Sequence, residues 1–272
     1  MTPPSTSSPE PSCPPRPPLA WLDWGWLILR SAVFYAAMVL TTLVVCPLMV
    51  LHRHAPFSTR YGLAQYWVRF VLLALDKVCG LRFAVQGAEH IPPHSGIILC
   101  KHQSAWETIA IQAIFPPMAF VLKRELLNIP VWGWAMDTCD PIAIDRDAKS
   151  AALKQLLTQG AERLKQGRWI VLFPEGTRVP PGQRGEYMGS GGMLAQRAGC
   201  PVVPVAHNAG EFWARNSFIK YPGVIQVRIG PPIDAKQHKA QEIVALAEAW
   251  IEAQMEDIQG YPSTRFEPPL KK

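Results

Sequence analysis

The chain has 272 residues, of which 49% are hydrophobic and 18% are charged, and its formal net charge is +6. The length allows a sizeable buried core, and the charged fraction lies below the roughly 25% that is usual for a soluble domain, which indicates a membrane protein. The positive balance suits anionic lipid headgroups or a phosphorylated substrate. Nucleic acid is not expected as a partner, because there is no dense block of Lys and Arg and no nucleic-acid-binding motif.

The N-terminal 80 residues are predicted to form a leader and a membrane anchor. Residues 1–18 are dominated by Pro, Ser and Thr, and we expect them to be disordered because they cannot bury enough apolar surface. Residues 31–51 contain no charge, and a helix of this length matches a hydrocarbon core of roughly 30 Å. This segment is expected either to span the membrane or to form a re-entrant hairpin that bends at Pro47. A cleaved signal peptide is less expected, because no cationic region begins the chain.

Residues that flank the apolar segment are typical of membrane interfaces. Tryptophans precede it, and His52, Arg53 and His54 follow it, but cations occur on both sides, so the charge bias does not set its orientation. Residues 61–78 repeat apolar side chains at helical spacing, which predicts a helix packed against the membrane interface or against the domain that follows it. We therefore assign residues 19–80 to the anchor.

Residues 81–260 are predicted to form one α/β domain, because short apolar runs alternate with helical patterns. The buried strands predict a mostly parallel central sheet flanked by helices. Strands are predicted at 82–86, 97–100, 118–122, 141–144, 169–173, 202–205 and 224–229, and helices at 105–114, 148–166, 192–198 and 235–258. Residues 261–272 form a C-terminal tail. The six cysteines lie far apart without a C-x-x-C pair, so we interpret them as reduced thiols and predict no metal site.

His102 and Glu107 are candidates for a general-base pair. His102 follows an apolar strand and precedes a predicted helix, and an imidazole with a pKa near 6.5 can accept a proton from a hydroxyl group. Glu107, five residues later, would orient the imidazole if His102 lies just before the helix and Glu107 lies in its first turn. Ser104 and Glu107 also form an S-x-x-E capping box, so the carboxylate has a second, purely structural interpretation.

A glycine turn with a cation follows the strand predicted at 169–173. It reads Glu175-Gly176-Thr177-Arg178. Glycine permits close approach of the backbone, and successive amides at such a turn can bind an oxyanion or a phosphate. The planar guanidinium of Arg178 suits bidentate binding of phosphate, although a surface ion pair is the alternative for an isolated arginine.

Two further strand ends are expected at the same edge of a parallel sheet. Lys123 and Arg124 end the strand predicted at 118–122 and would open on the edge that carries His102. The apolar strand at 202–205 would either line an acyl chain or belong to the core.

Taken in order, these blocks resemble the glycerolipid acyltransferase family, especially the bacterial 1-acylglycerol-3-phosphate acyltransferases. That family shows H-x4-D, a central K/R-x-E/L block, F-P-E-G-T-R and V-P-V. The corresponding blocks here are residues 102–107, 123–126, 173–178 and 202–205, and the likeness covers roughly residues 82–235. Glu107 departs from the aspartate of most members, which keeps the charge but changes the geometry of the pair.

The resemblance implies acyl transfer from an acyl-CoA or acyl carrier protein thioester to the hydroxyl of lysophosphatidic acid, with no metal or other cofactor. It implies that His102 is the general base and that Glu107 orients it. Substrate binding would fall to Lys123, Arg124, Glu175, Gly176, Thr177 and Arg178. The protein would contact membrane lipids, and we expect it at the bacterial inner membrane with its catalytic domain on the cytoplasmic face.

Other functions stay open at this point. The acceptor could be another lyso-lipid, such as a lyso-ornithine lipid, or glycerol 3-phosphate. A thioester or lipid hydrolase is a different class, and the absence of a G-x-S-x-G motif argues against it. Ser104 lies close to His102, but we assign it to the helix cap. The protein could also be a non-catalytic membrane adaptor. In that case, replacing His102 should not affect its function.

Overall fold

The computed structural model describes residues 21–145, 148–260 and 264–265. The predicted leader at 1–18 and all of the predicted tail except residues 264–265 lie outside this part of the chain. The described helices are α1 (Trp21–Leu51), α2 (Phe57–Ala74), α3 (Trp106–Ile114), α4 (Trp132–Asp137), α5 (Lys149–Lys165), α6 (Ser190–Ala198), α7 (Ala209–Phe212) and α8 (Ala240–Gln259). The described strands are β1 (Leu81–Gln86), β2 (Ile97–Cys100), β3 (Met118–Lys123), β4 (Ile142–Ile144), β5 (Trp169–Leu172), β6 (Gln183–Arg184), β7 (Val202–His207), β8 (Gly223–Ile229) and β9 (Thr264–Arg265).

Seven of these strands form one central sheet, in the order β1-β8-β7-β2-β5-β3-β4. The strands from β7 to β4 run parallel, whereas β8 is antiparallel to β7 and parallel to β1. Every residue of β2, β5 and β7 is buried, because helices cover both faces of the sheet. The predicted α/β class with a mostly parallel sheet is confirmed.

Several elements differ from the sequence-based expectation. The helix predicted at 235–258 begins only at Ala240, where the Glu242 carboxylate accepts a hydrogen bond from the Lys239 N–H at 3.0 Å. The short helices α4 and α7 were not predicted. Strands β6 and β9 pair with each other, so part of the predicted tail is ordered. The five described cysteines are free, as predicted, and all five are buried.

The predicted anchor forms a helical hairpin. Helix α1 continues through Pro47 to Leu51, and the chain reverses at residues 52–56 before α2 begins. The hairpin therefore does not bend at Pro47. Among the described residues, one helix is long and apolar enough to cross a membrane, with a mean hydropathy of 2.3 between Asp23 and Leu51.

One face of α1 packs against the rest of the protein along most of the helix. Near its start, the Ser31 hydroxyl accepts a hydrogen bond from the Lys220 N–H at 3.0 Å. In the middle, the Thr42 hydroxyl accepts one from the Trp67 indole at 3.0 Å, and near the end Cys46 is buried beside α4. The opposite face exposes large apolar side chains, among them Ile28, Leu29, Val33, Leu40, Val44 and Leu48.

The buried side chain of Lys220 joins α1 to the segment that precedes β8. Its ammonium group donates to the Tyr35 hydroxyl at 2.7 Å and to the Phe218 carbonyl at 2.8 Å, and it lies 4.3 Å from the centre of the Trp213 ring. Burial lowers the pKa of Lys220 to about 7. The hairpin is therefore fixed to the α/β domain by polar as well as apolar contacts.

Candidate active site

The carboxyl ends of three neighbouring strands meet at one edge of the sheet. Strand β2 lies between β5 and β7, and all three are parallel. His102 follows β2, Glu175 follows β5 and His207 ends β7, so the three residues lie on the same edge, where ligand sites of α/β proteins form. The convergence of His102 and Glu175 was predicted. His207 was missed, although its place at the end of a parallel strand was a usable signal.

His102 and Glu107 form the predicted pair. The Nδ1 of His102 lies 2.8 Å from Glu107 Oε1, and the same oxygen accepts hydrogen bonds from the N–H groups of Gln103 at 2.9 Å and Ser104 at 2.8 Å. The Ser104 hydroxyl in turn accepts a bond from the Trp106 N–H at 3.1 Å. One carboxylate oxygen of Glu107 therefore contacts both the His102 imidazole and the backbone just before α3, so the geometry is compatible with both interpretations.

The electrostatics of the site keep Glu107 ionised. Burial would raise its pKa, but the hydrogen bonds from His102 and the Ser104 N–H hold the pKa of this carboxyl below its ordinary value. Because the Nδ1–H of His102 donates to this carboxylate, Nε2 carries the lone pair that can accept a proton. The imidazole stacks on the Phe173 ring with 4.1 Å between ring centres, and its side chain is 15% exposed.

His207 supports the site without competing for the carboxylate. Its Nε2 donates to the Lys101 carbonyl at 2.8 Å, and its Nδ1 accepts a bond from the Ala209 N–H at 3.2 Å. These bonds fix a neutral tautomer, and burial lowers the pKa of His207 further. The 3.9 Å between His207 Nε2 and Glu107 Oε2 is too long for a hydrogen bond. His207 thus holds the backbone that leads into His102.

Glu175 is directed into the protein. Its Oε2 accepts a hydrogen bond from the His102 N–H at 2.8 Å, and its Oε1 lies 2.7 Å from the Lys101 ammonium. Burial raises the pKa of Glu175, while the Lys101 ammonium and the His102 N–H oppose that rise. The structure gives Glu175 a different role from the predicted substrate contact, because both of its oxygens already have partners in the protein.

The remaining residues of the predicted glycine turn line two different cavities. Gly176 has a φ of +66°, a left-handed conformation that favours glycine. Thr177 lines the cavity that contains His102, and Arg178 lines a second cavity. The Arg178 Nε is buried and makes no hydrogen bond within the described part of the chain. Arg215, which was not predicted, donates to the Thr177 hydroxyl at 3.4 Å and to the Arg178 carbonyl at 3.3 Å.

The first cavity, here called the His102 cavity, has a volume of about 490 Å³. It extends from the imidazole between the sheet and α5. Most of its wall is apolar, with side chains that include Leu99, Val121, Ile144, Ala152, Leu156 and Leu172. Residues 202–205 do not line it. They are buried in the sheet, so the core interpretation of that strand is the correct one.

The second cavity, here called the Arg178 cavity, has a volume of about 710 Å³. It lies between α1, α3 and the segment at 213–218, so the helical hairpin forms one of its walls. Its lining is mainly aromatic and apolar and includes Tyr35, Met38, Trp67, Ile109, Trp213 and Phe218.

Lys123 and Arg124 lie at the predicted edge of the sheet but away from both cavities. Lys123 pairs with Glu125 at 3.3 Å, and Arg124 donates to the Gln155 side chain at 3.3 Å. Strand β5 lies between β3 and β2, so these cations lie at the end of a strand that is two positions away from the strand of His102. Their binding of substrate phosphate stays a prediction.

Comparison with known proteins identifies the family to which this fold and this site belong. The Acyltransferase family model matches residues 82–208. The chain is 43% identical to the 1-acyl-sn-glycerol-3-phosphate acyltransferase of Pseudomonas aeruginosa, over 85% of this chain and 91% of that protein. The chain therefore belongs to the acyltransferase family, as its motifs predicted.

More distant relatives show the same relationship. The chain is 29% identical to the 1-acyl-sn-glycerol-3-phosphate acyltransferase alpha of Bos taurus, over 66% of this chain and 64% of that protein. The crystal structure of the 1-acyl-sn-glycerophosphate acyltransferase of Thermotoga maritima matches with a TM-score of 0.68 over 89% of this chain and 98% of that one. Sequence identity to that structure is 22%, so this match shows the shared fold.

Replacing Glu107 tests the shared carboxylate oxygen. Glu107→Asp withdraws the oxygen from His102 Nδ1 and from the two N–H groups, and we expect kcat to fall about 100-fold. Glu107→Gln removes the charge that stabilises the imidazolium, and we expect kcat to fall about 10³- to 10⁴-fold. The measurement is the steady-state rate of acyl transfer with purified protein. Glu162→Gln, which changes an exposed carboxylate on α5, serves as the control. Equal activity of all three variants would contradict the assignment.

Proposed function

We propose that the protein transfers an acyl chain from an acyl thioester to the free hydroxyl of 1-acylglycerol 3-phosphate and so forms phosphatidic acid. The observation that carries this proposal is the 2.8 Å bond from His102 Nδ1 to the buried Glu107 carboxylate, which leaves Nε2 as a base beside an apolar cavity. The name and the 43% identity of the Pseudomonas aeruginosa relative support the same reaction.

The chemistry follows from the orientation of the imidazole. His102 Nε2 accepts the proton of the acceptor hydroxyl as that oxygen attacks the thioester carbonyl, and the carbonyl oxygen becomes an oxyanion. Collapse of this tetrahedral intermediate breaks the carbon–sulfur bond, and the departing thiolate takes the proton back from His102. Glu107 stabilises the transient imidazolium, so the step is acid–base catalysis by one histidine.

Each cavity fits one of the two substrates. The His102 cavity is mostly apolar, so we assign it to the acyl chain of the thioester. The Arg178 cavity combines an available guanidinium with an apolar wall on α1, so we assign it to the lyso-lipid, with the phosphate at Arg178. The thioester, from acyl-CoA or acyl carrier protein, is a co-substrate in this scheme and not a resident cofactor.

The same geometry weighs against the alternative reactions. A hydrolase with Ser104 as nucleophile is disfavoured, because the Ser104 hydroxyl accepts the Trp106 N–H bond at the start of α3. Acceptors without a phosphate, such as a lyso-ornithine lipid, would not use the guanidinium of Arg178. A non-catalytic adaptor would not require the oriented His102 and Glu107 pair.

We propose further that α1 lies against the membrane and does not cross it. One face of α1 contacts the protein from Ser31 to Cys46, so the helix cannot cross the hydrocarbon core without carrying part of the domain with it. Its opposite face is apolar and exposed and would enter the lipid. This placement opens the Arg178 cavity toward the bilayer, and we expect the bacterial inner membrane, on its cytoplasmic face.

Replacing His102 tests the reaction itself. We expect wild-type protein in detergent to convert lysophosphatidic acid and a long-chain acyl thioester to phosphatidic acid, and we expect His102→Ala to lower kcat by at least about 10²- to 10⁴-fold. The product is measured by chromatography of labelled lipid, with acyl-CoA and acyl carrier protein tested as separate donors. Equal rates for the two proteins would refute the role of His102. Failure of the wild type with both donors would refute the acceptor assignment.

Replacing Arg178 tests the acceptor site. Arg178→Ala removes a charge-assisted hydrogen bond to the phosphate, and we expect the KM for lysophosphatidic acid to rise about 10- to 100-fold while the KM for the thioester stays within about twofold. Arg197→Ala, on the exposed side of α6, is the matched control. A rise in the donor KM alone would place the acyl thioester, and not the phosphate, at this arginine.

Cysteine labelling tests the placement of α1. We expect single cysteines at position 23 (Asp23→Cys) and at position 53 (Arg53→Cys), made in a Cys13→Ser background, to react with an impermeant maleimide from the same side of the membrane. A helix of this length rises about 46 Å, so a spanning α1 would place them on opposite sides. The comparison uses inverted vesicles and spheroplasts. If one of the two cysteines reacts only in inverted vesicles and the other reacts only in spheroplasts, the interfacial placement is refuted.

A further inference from the structure

A buried group of charges lies directly behind His102. The Lys101 side chain is fully enclosed, and its ammonium lies 2.7 Å from Glu175 Oε1 and 2.8 Å from Glu252 Oε1. It also donates to the Gln183 carbonyl at 3.1 Å. The Tyr187 hydroxyl donates to Glu252 Oε1 at 2.9 Å. A lysine without exposure requires such partners, because an unpaired buried ammonium is strongly disfavoured.

This group reaches the catalytic histidine through one carboxylate. Glu175 Oε1 faces Lys101, and Glu175 Oε2 accepts the His102 N–H at 2.8 Å. On the other side, the His102 carbonyl accepts the Val179 N–H at 2.8 Å. Both backbone groups of His102 are therefore held by the segment that follows β5. The position of that segment depends in turn on the ion pair between Glu175 and Lys101.

Helix α8 supplies the second carboxylate from far along the chain. Glu252 is 151 residues from Lys101 and lies beyond residues 82–208, the part matched by the family model. Its side chain is 8% exposed, so substrate cannot reach it while Lys101 and Tyr187 occupy Oε1. The buried ion pair between Lys101 and Glu252 adds little to the stability of the fold, because the cost of desolvating the two charges offsets much of their attraction. Its main effect is to fix the positions of the two side chains.

We propose that Lys101 and Glu252 are positioning residues, which fix the backbone of His102 through Glu175 and thereby hold Nε2 in line with the acceptor hydroxyl. The proposal rests on the proposed role of His102 as general base. Glu252 contacts neither substrate in this scheme. Its loss therefore affects the catalytic step and leaves the binding of donor and acceptor unchanged.

The test combines kinetics with hydrogen exchange. In Glu252→Ala we expect kcat to fall about 10- to 100-fold with the KM of both substrates within about twofold, because a small displacement of a base lowers the rate of proton transfer. We also expect faster amide exchange in the peptide that contains His102, measured by mass spectrometry in detergent. Glu256→Ala, one turn further along α8 and exposed, is the matched control and should match wild type.

A second variant covers the case in which Glu252→Ala does not fold. Glu252→Gln keeps an oxygen that accepts from Lys101 and Tyr187, and we expect it to fold and to lose about 3- to 10-fold in kcat. The double variant Lys101→Met with Glu252→Gln removes one positive and one negative charge. We expect its fold loss in kcat to be smaller than the product of the fold losses of the two single variants, because the two side chains act through one contact.

The outcomes separate this proposal from the proposed function. A folded Glu252→Ala variant with wild-type kcat and wild-type exchange at His102 would overturn the positioning role. A rise in KM without a fall in kcat would overturn it as well. If wild-type protein makes no phosphatidic acid, the exchange comparison still decides whether Glu252 fixes the backbone of His102, so the two failures are distinguishable.

Discussion

The candidate active site depends on one oxygen atom, Glu107 Oε1, which accepts three hydrogen bonds within 3 Å. Two come from the backbone N–H groups of Gln103 and Ser104, which lie just before α3, and one comes from the imidazole of His102. The same oxygen therefore fixes the loop that leads into α3 and orients the imidazole. A carboxylate in the first turn of a helix is also favoured by the helix dipole. The side chain that holds this loop thus sets the tautomer of the proposed base.

The sheet topology explains why support for His102 comes from several directions. Because β2 is the central strand, its carboxyl end has β5 on one side and β7 on the other. Strand β5 leads to Glu175, which holds the His102 N–H, and β7 leads to His207, which holds the Lys101 carbonyl. A base on an edge strand would have a neighbour on one side only. The central position thus makes a rigid base possible at the end of a strand, where side chains are otherwise free to move.

The sequence predicted those features that depend on local spacing. The apolar runs predicted the strands, and the pair His102 and Glu107 was predicted because a histidine, a cap and a carboxylate fall within six residues. The partner of Lys101 was not predictable, because Glu252 lies 151 residues away on the polar-looking pattern of an amphipathic helix. Lys123 and Arg124 were assigned to the correct edge, but the sequence did not show that β5 lies between their strand and β2, because it shows that strands are parallel more readily than it shows their order.

The two cavities also bear on why acyl transfer is favoured over hydrolysis. Water would compete for the thioester wherever the base is open to solvent, but the His102 ring is stacked on Phe173 and its side chain is 15% exposed. The Arg178 cavity is walled by α1, whose outer face is apolar. If the lyso-lipid occupies this cavity, as we propose, it brings its own hydrocarbon chain and displaces water as it binds. In that scheme the hairpin contributes to the choice of nucleophile, because a lipid can occupy the space beside the proposed base more favourably than water can.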